Sequence, residues 1–403
     1  VKDGPAECSD HPTAVTDAVE AANQVRPDQL VDLVTEASAK LGATATRMWL
    51  SDHGQRNLVH LTNSSRPRKP LPIDGSAAGR AYILSAEQER ERPRGDHHLW
   101  LPLVDGVDRI GILEVEHPAL TPALRRSYRR LASVAATETI IRGQYTDRFT
   151  VIRRKRPMDL AAELQWQMLP PTSFAAPEVS VAGLLEPAYH AAGDTFDYTY
   201  SAGALDFAIF DSVGHDLASA LISTLAVGAY RNRRRSGDHL RTIGRVLDDV
   251  LADQMGHSAF ATGILARLDT SSGVLSWCNG GHPPPLLVRQ GRRVSELPGP
   301  RRVPFGLGHL VDAGRDRLAQ AHLEPGDAVL LYTDGIVEAR QANGEDFGLG
   351  RLEEFLAHAF AAQLPPAETL RRLSNAVLEH HGDTLQDDAS TLLVIWHPSG
   401  PPA

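Results

Sequence analysis

The 403-residue chain has only two cysteines, Cys8 and Cys278, far apart and in no metal-binding spacing. Unpaired thiols in a reducing compartment are the expectation, which leaves no disulfide scaffold and no cysteine-ligated zinc site. No apolar run approaches the roughly 18 residues of a membrane-spanning helix, and the first residues do not form a secretory signal. The chain opens on Val1, so trimming is expected, as is a cytoplasmic location. An excess of basic residues is also missing. With a net charge of −9, no global field draws the chain to nucleic acid or anionic lipid. Its arginine clusters lack the interleaved aromatics of a nucleic-acid face. Internal repeats, low-complexity segments and a Gly/Ser tether are absent as well.

What remains is ordinary globular material, 42% hydrophobic and 23% charged, enough for real cores over about two or three domains. Residues 1–25 are polar and mixed and read as a flexible lead-in whose end starts a helix. From 27 to 41, Leu30, Val31, Leu33, Val34, Ala37 and Leu41 recur at helical spacing, with a stop at Gly42. "ATATRMWLSD" and "NLVHLT" read as strands. "HHLWLPLVDGVDRIGILEVEH" reads as a hairpin turning at Asp105-Gly106. A long helix follows, from about Pro122 to Arg142.

Residues 144–170 form a helical linker. Arg153–Arg156 is a basic run, expected as a solvated helix face. Pro157 suits the start of a new helix, on which Leu160, Leu164, Gln167 and Met168 share a face. Pro170-Pro171 ends it.

Beyond 171 the pattern changes. "VSVAGLLEPA", "DTFDYTYS" and "LDFAIFD" are strands. A helix follows from 215 to about 233, with Leu217, Leu221, Leu225 and Gly228 on one side. A second, "HLRTIGRVLDDVLADQM", turns Leu240, Ile243, Val246, Leu247, Val250 and Leu251 inward. Strands return in "FATGILARLD", "VLSWCNG", "PPLLVRQ", "RLAQAHL" and "DAVLLYTDG". A helical pair precedes a last strand, "STLLVIWHP". Strands segregated from helices predict an α+β layered domain with mainly antiparallel sheets.

Aspartates stand where these strands meet loops: Asp194 after a glycine, Asp211 at the end of "LDFAIFD", Asp334 in "TDG", and the pair Asp387-Asp388 before the last strand. A single such aspartate is ordinary turn or cap chemistry. Several together repel one another and resist burial unless a cation sits among them. Oxygen-only ligands favour Mg²⁺ or Mn²⁺ over zinc, and no H-E-x-x-H or C-x-x-C competes. Two histidines, His215 and His282, are the nearest candidate general acids. Each also has a plainer role, at a helix start and in a turn respectively. The run "RNRRR" at 231–235 suits a helix C-terminus.

Two resemblances follow. Helix, strands, hairpin and helix over 26–143 resemble a GAF sensor domain, which binds a small ligand or dimerises. "AAGDTFDY", "IFDSVGHDLASAL", "CNGGHPPPLL", "LLYTDGIVEAR" and "DDASTLLVI", over 171–397, resemble the SpoIIE-like branch of the metal-dependent protein phosphatase 2C-type (PPM) serine/threonine phosphatases. That resemblance implies an α-β-β-α sandwich of two antiparallel sheets flanked by helices, with two Mn²⁺ or Mg²⁺ ions at one end. By motif it makes Asp211 the aspartate that bridges both ions, with the backbone carbonyl of Ser212 beside it. Asp194 becomes a ligand of one ion, and Asp334 and Asp387 ligands of the other, with Asp388 in support. Ala192, Phe210 and Asp216 stand where the family often has glycine.

The implied chemistry is hydrolysis of phosphoserine or phosphothreonine by a water activated between the two ions, with Asp211 and Asp194 central to it. The implied substrate is a small signalling protein, such as a phosphorylated anti-anti-sigma factor. The GAF-like domain would regulate through the linker helix, whose apolar stripe suits a homodimer. A catalytically silent partner-binding module with the same fold is the competing class, as, more remotely, is nucleic-acid binding through the arginine clusters.

Overall fold

The computed structural model describes residues 11–22, 24–91, 96–186, 189, 193–214, 216–291, 293–311, 317–341, 344–382 and 388–397. The chain divides into two units, Val1–Arg156 and Pro157–Ala403.

The first unit runs α1 (His11–Ala22), α2 (Leu30–Lys40), β1 (Ala45–Ser51), β2 (Asn57–Leu61), β3 (Leu71–Pro72), α3 (Ala77–Leu84), β4 (Gln88–Glu91), β5 (His97–Asp105), β6 (Asp108–His117), α4 (Pro122–Gly143) and α5 (Arg148–Ile152). Its six strands form one antiparallel sheet in the order β3-β2-β1-β6-β5-β4. The β5–β6 hairpin turns at Gly106, whose φ of 59° suits glycine. Alternation sorts each strand: Met48 and Leu50 pack with α1, α2 and α4, while Trp49 packs under α3 with Tyr82 and Trp100.

Two expectations for this unit need correction. Residues 11–22, expected within a flexible lead-in, are helical, because Ala14, Val15, Ala18 and Ala22 recur at helical spacing and bury one face. The basic run 153–156 is not a helix face either, since α5 ends at Ile152. Arg153 Nε donates to the Ser51 carbonyl at 2.8 Å, and Lys155 Nζ lies 3.1 Å from the buried Asp52 carboxylate.

The second unit runs α6 (Leu160–Met168), β7 (Ser173–Ala176), β8 (Val179–Glu186), β9 (Asp194–Ser201), β10 (Ala204–Ser212), α7 (Leu217–Arg235), α8 (Leu240–Met255), β11 (Ala261–Asp269), β12 (Val274–Gly280), β13 (Leu286–Arg289), β14 (Arg293–Glu296), β15 (Arg301–Arg302), β16 (Ala319–His322), β17 (Ala328–Tyr332), α9 (Asp334–Val337), α10 (Gly348–Ala361), α11 (Pro366–His381) and β18 (Ala389–Trp396). One sheet is ordered β15-β12-β11-β10-β9, with β16 also on β12; the other is β14-β13-β17-β18-β8-β7. All pairings but β12–β15 are antiparallel.

Phe196, Phe207, Ile209, Ile264, Val329, Leu331, Leu392 and Val394 fill the space between the sheets. The outer face of the first sheet is covered by α7 and α8, and that of the second by α10 and α11. The architecture is therefore an α+β layered domain with mainly antiparallel sheets, as the strand and helix pattern predicts, arranged as the α-β-β-α sandwich that the resemblance implies.

Helix faces differ from the expectation at three places. Leu217 and Leu221 point outward, 40% and 43% exposed, while Ala220, Ile222, Ala226, Val227 and Tyr230 face the sheet. Val246 and Val250 are only half-buried and border an open groove with Leu221 and Leu225. The short α6 starts at Leu160 rather than Pro157, with Asp159 as its cap, and buries Ala161, Ala162 and Gln165 while Leu160 is 61% exposed. On α6 and α7 small residues mark much of the inner face, because a helix lying close against a sheet or another helix leaves room for alanine more readily than for leucine, whereas α8 turns Leu240, Ile243, Leu247 and Leu251 inward.

Candidate metal centre

The site begins at a register. In the β9–β10 pair, Asp211 stands directly opposite Asp194. Opposed residues of antiparallel strands share a face, with Cβ atoms about 4.5–5.5 Å apart, so two carboxylates are set side by side at one sheet edge. Asp194 is 2% exposed, whereas Asp211 and Asp334 are half-buried.

The second sheet supplies the other acids. After β17, Thr333 caps α9 and Asp334 is that helix's first residue, so Asp334 opens a helix rather than closing a strand. The Thr333 hydroxyl accepts the Ser390 N–H at 2.8 Å and donates to Asp194 Oδ2. At the head of β18, Asp388 Oδ2 accepts the N–H groups of Gly193 and Asp194 at 2.7 and 2.8 Å. A third donor comes from α6, where Gln165 Nε2 reaches Asp388 Oδ2 at 3.4 Å and the Asp194 carbonyl at 2.8 Å.

Glycines permit this convergence. A Cβ on Gly335 would fall 2.0 Å from the Asp388 carbonyl oxygen, and one on Gly193 would fall 2.7 Å from that of Ser212. The Ser212 N–H donates back to the Gly193 carbonyl at 3.1 Å. Its hydroxyl pairs with Ser223 at 2.7 Å, which leaves the backbone carbonyl as its contribution to the rim.

Electrostatics expose the cost of the arrangement. Burial first, then the charges of Asp388, Asp211 and Asp334, raise the Asp194 carboxyl well above the usual carboxylate range. Burial, with Asp388 behind it, raises Asp334. Among the described residues no lysine or arginine pairs with the Asp194 or Asp334 carboxyl.

Beside these acids Gln165 Oε1 is buried without a hydrogen-bond partner. Hard oxygen donors, clustered like charge and a spare buried acceptor fit a hydrated divalent cation of the Mg²⁺ or Mn²⁺ kind. Asp387 and His215 lie outside the described residues, as does Ala192.

His282 is not a proton donor to substrate. It is fully buried; its Nε2 donates to the Tyr332 carbonyl and its Nδ1 accepts from Thr262 Oγ1, both at 2.9 Å. The Asn279 side chain closes the turn on the His282 backbone N–H and carbonyl. Burial pushes the imidazole down to about 3, so it is neutral.

Two departures from the expected glycines have structural reasons. Phe210 fills the core edge-on to Tyr230 and Phe305. Asp216 caps α7 through Ala218 N and Ser219 N. The arginine run serves the fold as well: Arg231 and Arg234 grip the buried Asp197.

Gln165, Thr333 and Asp197 were not picked out from the sequence. A glutamine at core spacing beside Ala161 and Ala162 was the available signal for the first.

In the first unit His98, Glu114 and Glu116 bring ligand atoms within 4.8 Å of one another. Arg47 Nη1 lies 3.1 and 2.7 Å from the two glutamates and supplies their counter-charge.

Residues 201–397 match the family model of Stage II sporulation protein E (SpoIIE). This segment is similar to the SpoIIE family. Asp211, Asp334, Asp387 and Asp388 fall inside the SpoIIE match, Asp194 lies just before it, and Gln165 lies well before it.

The chain is 29% identical over 157 residues to Protein IcfG of Synechocystis sp., covering 38% of this chain and 23% of that protein. It is 22% identical over 190 residues to Phosphoserine phosphatase RsbU of Bacillus subtilis, covering 47% and 56% respectively. It thus spans about a quarter of one relative and about half of the other. Among solved structures, the SiaA-PP2C domain of Pseudomonas aeruginosa is similar at 22% identity and a TM-score of 0.49, over 59% of this chain and 94% of that one.

Proposed function

We propose that the second unit is a divalent-metal-dependent phosphatase acting on phosphoserine or phosphothreonine of a signalling protein. The observation that carries this reading is the Asp194–Asp211 pair, opposed in register and joined by Asp334 and Asp388 in one acidic cluster whose mutual charge raises the Asp194 carboxyl. Asp194, Asp211, Asp334 and Asp387, with the Ser212 carbonyl, would hold two Mn²⁺ or Mg²⁺ ions. Bound there, such ions polarise phosphoryl oxygens and lower the pKa of water.

The protein's own share is positional. The β9–β10 register sets two carboxylates side by side, Thr333 orients Asp194, and Asp388 fixes the backbone that carries it. Phosphate is a dianion, so the bare cluster repels it and productive binding requires the cations. The name of the B. subtilis relative, a phosphoserine phosphatase, supports the substrate class, with a phosphorylated anti-anti-sigma factor as the leading instance.

The first unit is read as a GAF-like regulatory domain, α6 with its exposed Leu160 as a dimerisation element, and the setting as cytoplasmic. Among the described residues no helix is long and apolar enough to cross a membrane. Phosphate release from phosphoserine, phosphothreonine and phosphotyrosine peptides with Mn²⁺ or EDTA tests the assignment. Release from the first two, with Mn²⁺ only, is expected; metal-independent release, or none, rejects it.

A further inference from the structure

Gln165 is 2% exposed on a helix face otherwise made of alanine. Burying a primary amide is costly unless its donors and acceptor are used. Its two donors are used well. Nε2 reaches the Asp194 carbonyl at 2.8 Å and Asp388 Oδ2 at 3.4 Å, so one amide group bridges the chain at the head of β9 and the carboxylate at the head of β18. The orientation is chemically forced, because a flipped amide would set an oxygen against two acceptors. Its acceptor is not used: Oε1 is buried and has no protein donor. A buried acceptor beside the clustered carboxyls of Asp194 and Asp388 suits water held by a cation, which would supply the donor that the protein does not.

We propose that Gln165 is a positioning residue for the divalent-cation site. Its amide nitrogen sets Asp194 against Asp388, and its oxygen serves the hydration of the cation. This rests on the metal-dependent reading above. It also makes α6 part of the site, although α6 precedes the matched family segment and contributes no aspartate ligand. The thermodynamic consequence is reciprocal: whatever loosens α6 weakens metal binding, and bound metal holds α6 in place.

Other contacts fix α6 independently. Asp159 caps it through Ala162 N at 2.8 Å, Arg231 Nη2 donates to the Met168 carbonyl at 2.6 Å, Ala161 packs on Ala220, and Ala162 packs on Leu185. Replacing Gln165 therefore leaves the helix docked.

The test is Mn²⁺ titration by calorimetry on the full chain, comparing wild type with Gln165→Ala and with the volume-preserving Gln165→Leu. Circular dichroism in EDTA establishes that each is folded. The expected result is Mn²⁺ affinity weakened about 10–100-fold, the range for lost outer-shell partners of metal ligands. At saturating Mn²⁺ the KM for p-nitrophenyl phosphate should stay within about twofold of wild type, because substrate contacts are untouched. A purely structural role would lower the melting temperature and leave the affinity of the folded protein alone; that outcome in either variant overturns the proposal. Absence of Mn²⁺ binding by the wild type removes the site itself, and the proposal with it. Normal wild-type binding with unchanged variants rejects only the role of Gln165.

Discussion

The carboxylate of Asp388 accepts the backbone N–H of Asp194 at 2.8 Å, across the seam between the two sheets. One acid thus holds the peptide that carries another, and the N–H of Gly193 joins the same oxygen at 2.7 Å. The link accounts for an acid at 388 that need not be a ligand itself. Removing it changes both charge and hydrogen bonding, and two variants separate them. Asp388→Asn and Asp388→Ala delete the same charge, but only the second strands both N–H groups. Asp388→Ala is expected to be less stable than Asp388→Asn by about 2–3 kcal/mol, read from urea unfolding in EDTA. Equal stabilities would show that these bonds contribute nothing.

Asp194 carries the clearest pH signature. Its carboxyl is raised, so its protonated form suits the metal-free fold. That contribution is complete below the unfolded value of about 3.8 and disappears as pH rises through the folded value. Asp194→Asn mimics the protonated state. In EDTA at pH 8 the variant is expected to be more stable than wild type by on the order of 1 kcal/mol or more, and the gap should close as pH falls toward 4. Mn²⁺ should stabilise the wild type at pH 8 and leave the variant nearly unchanged. Thermal melts across pH, with and without Mn²⁺, read both effects.

His282 has the opposite sign. Its folded value of about 3 lies below its ordinary 6.5, so its stabilisation is present above pH 6.5 and is lost as pH falls toward 3. His282→Gln cannot titrate. Between pH 6.5 and 4 the wild type should lose more stability than the variant, by on the order of 1–3 kcal/mol. Parallel losses would mean that the imidazole is not kept neutral by burial.

Phe210 tests whether an unexpected residue beside Asp211 belongs to the core or to the site. It is fully buried and meets Tyr230 and Phe305 edge-on. Phe210→Ala is expected to cost about 3–5 kcal/mol in chemical denaturation, while the folded variant keeps the Mn²⁺ affinity of the wild type. A loss of affinity in a folded variant would place Phe210 among the residues that shape the metal turn.

Much of the architecture is legible in periodicity. Strands 194–201 and 274–280 and helix 366–381 lie where their patterns predict, because alternation and helical spacing report directly on which side of an element is buried. Short edge strands such as β7, β14 and β15 are not legible, since a few half-exposed residues carry no period. Large apolar residues also mislead about α7 and α6: Leu217, Leu221 and Leu160 are outward, and close packing assigns the inner faces to alanine, serine and glutamine. Aspartates at strand termini are visible in the sequence, but it is the antiparallel register, Asp194 opposite Asp211, that sets two of them at one rim. The bonds that orient those acids, from Thr333, Asp388 and Gln165, join residues up to 223 positions apart and leave no local pattern.

The central claim is that convergent aspartates create a site for catalytic divalent cations. The most direct measurement is p-nitrophenyl phosphate hydrolysis by the full chain and its Asp211→Asn variant over a Mn²⁺ titration. The account predicts saturable Mn²⁺-dependent turnover in the wild type, abolished by EDTA, and background rates in the variant at every concentration. Turnover by Asp211→Asn equal to wild type, or a wild-type rate indifferent to Mn²⁺, would contradict it.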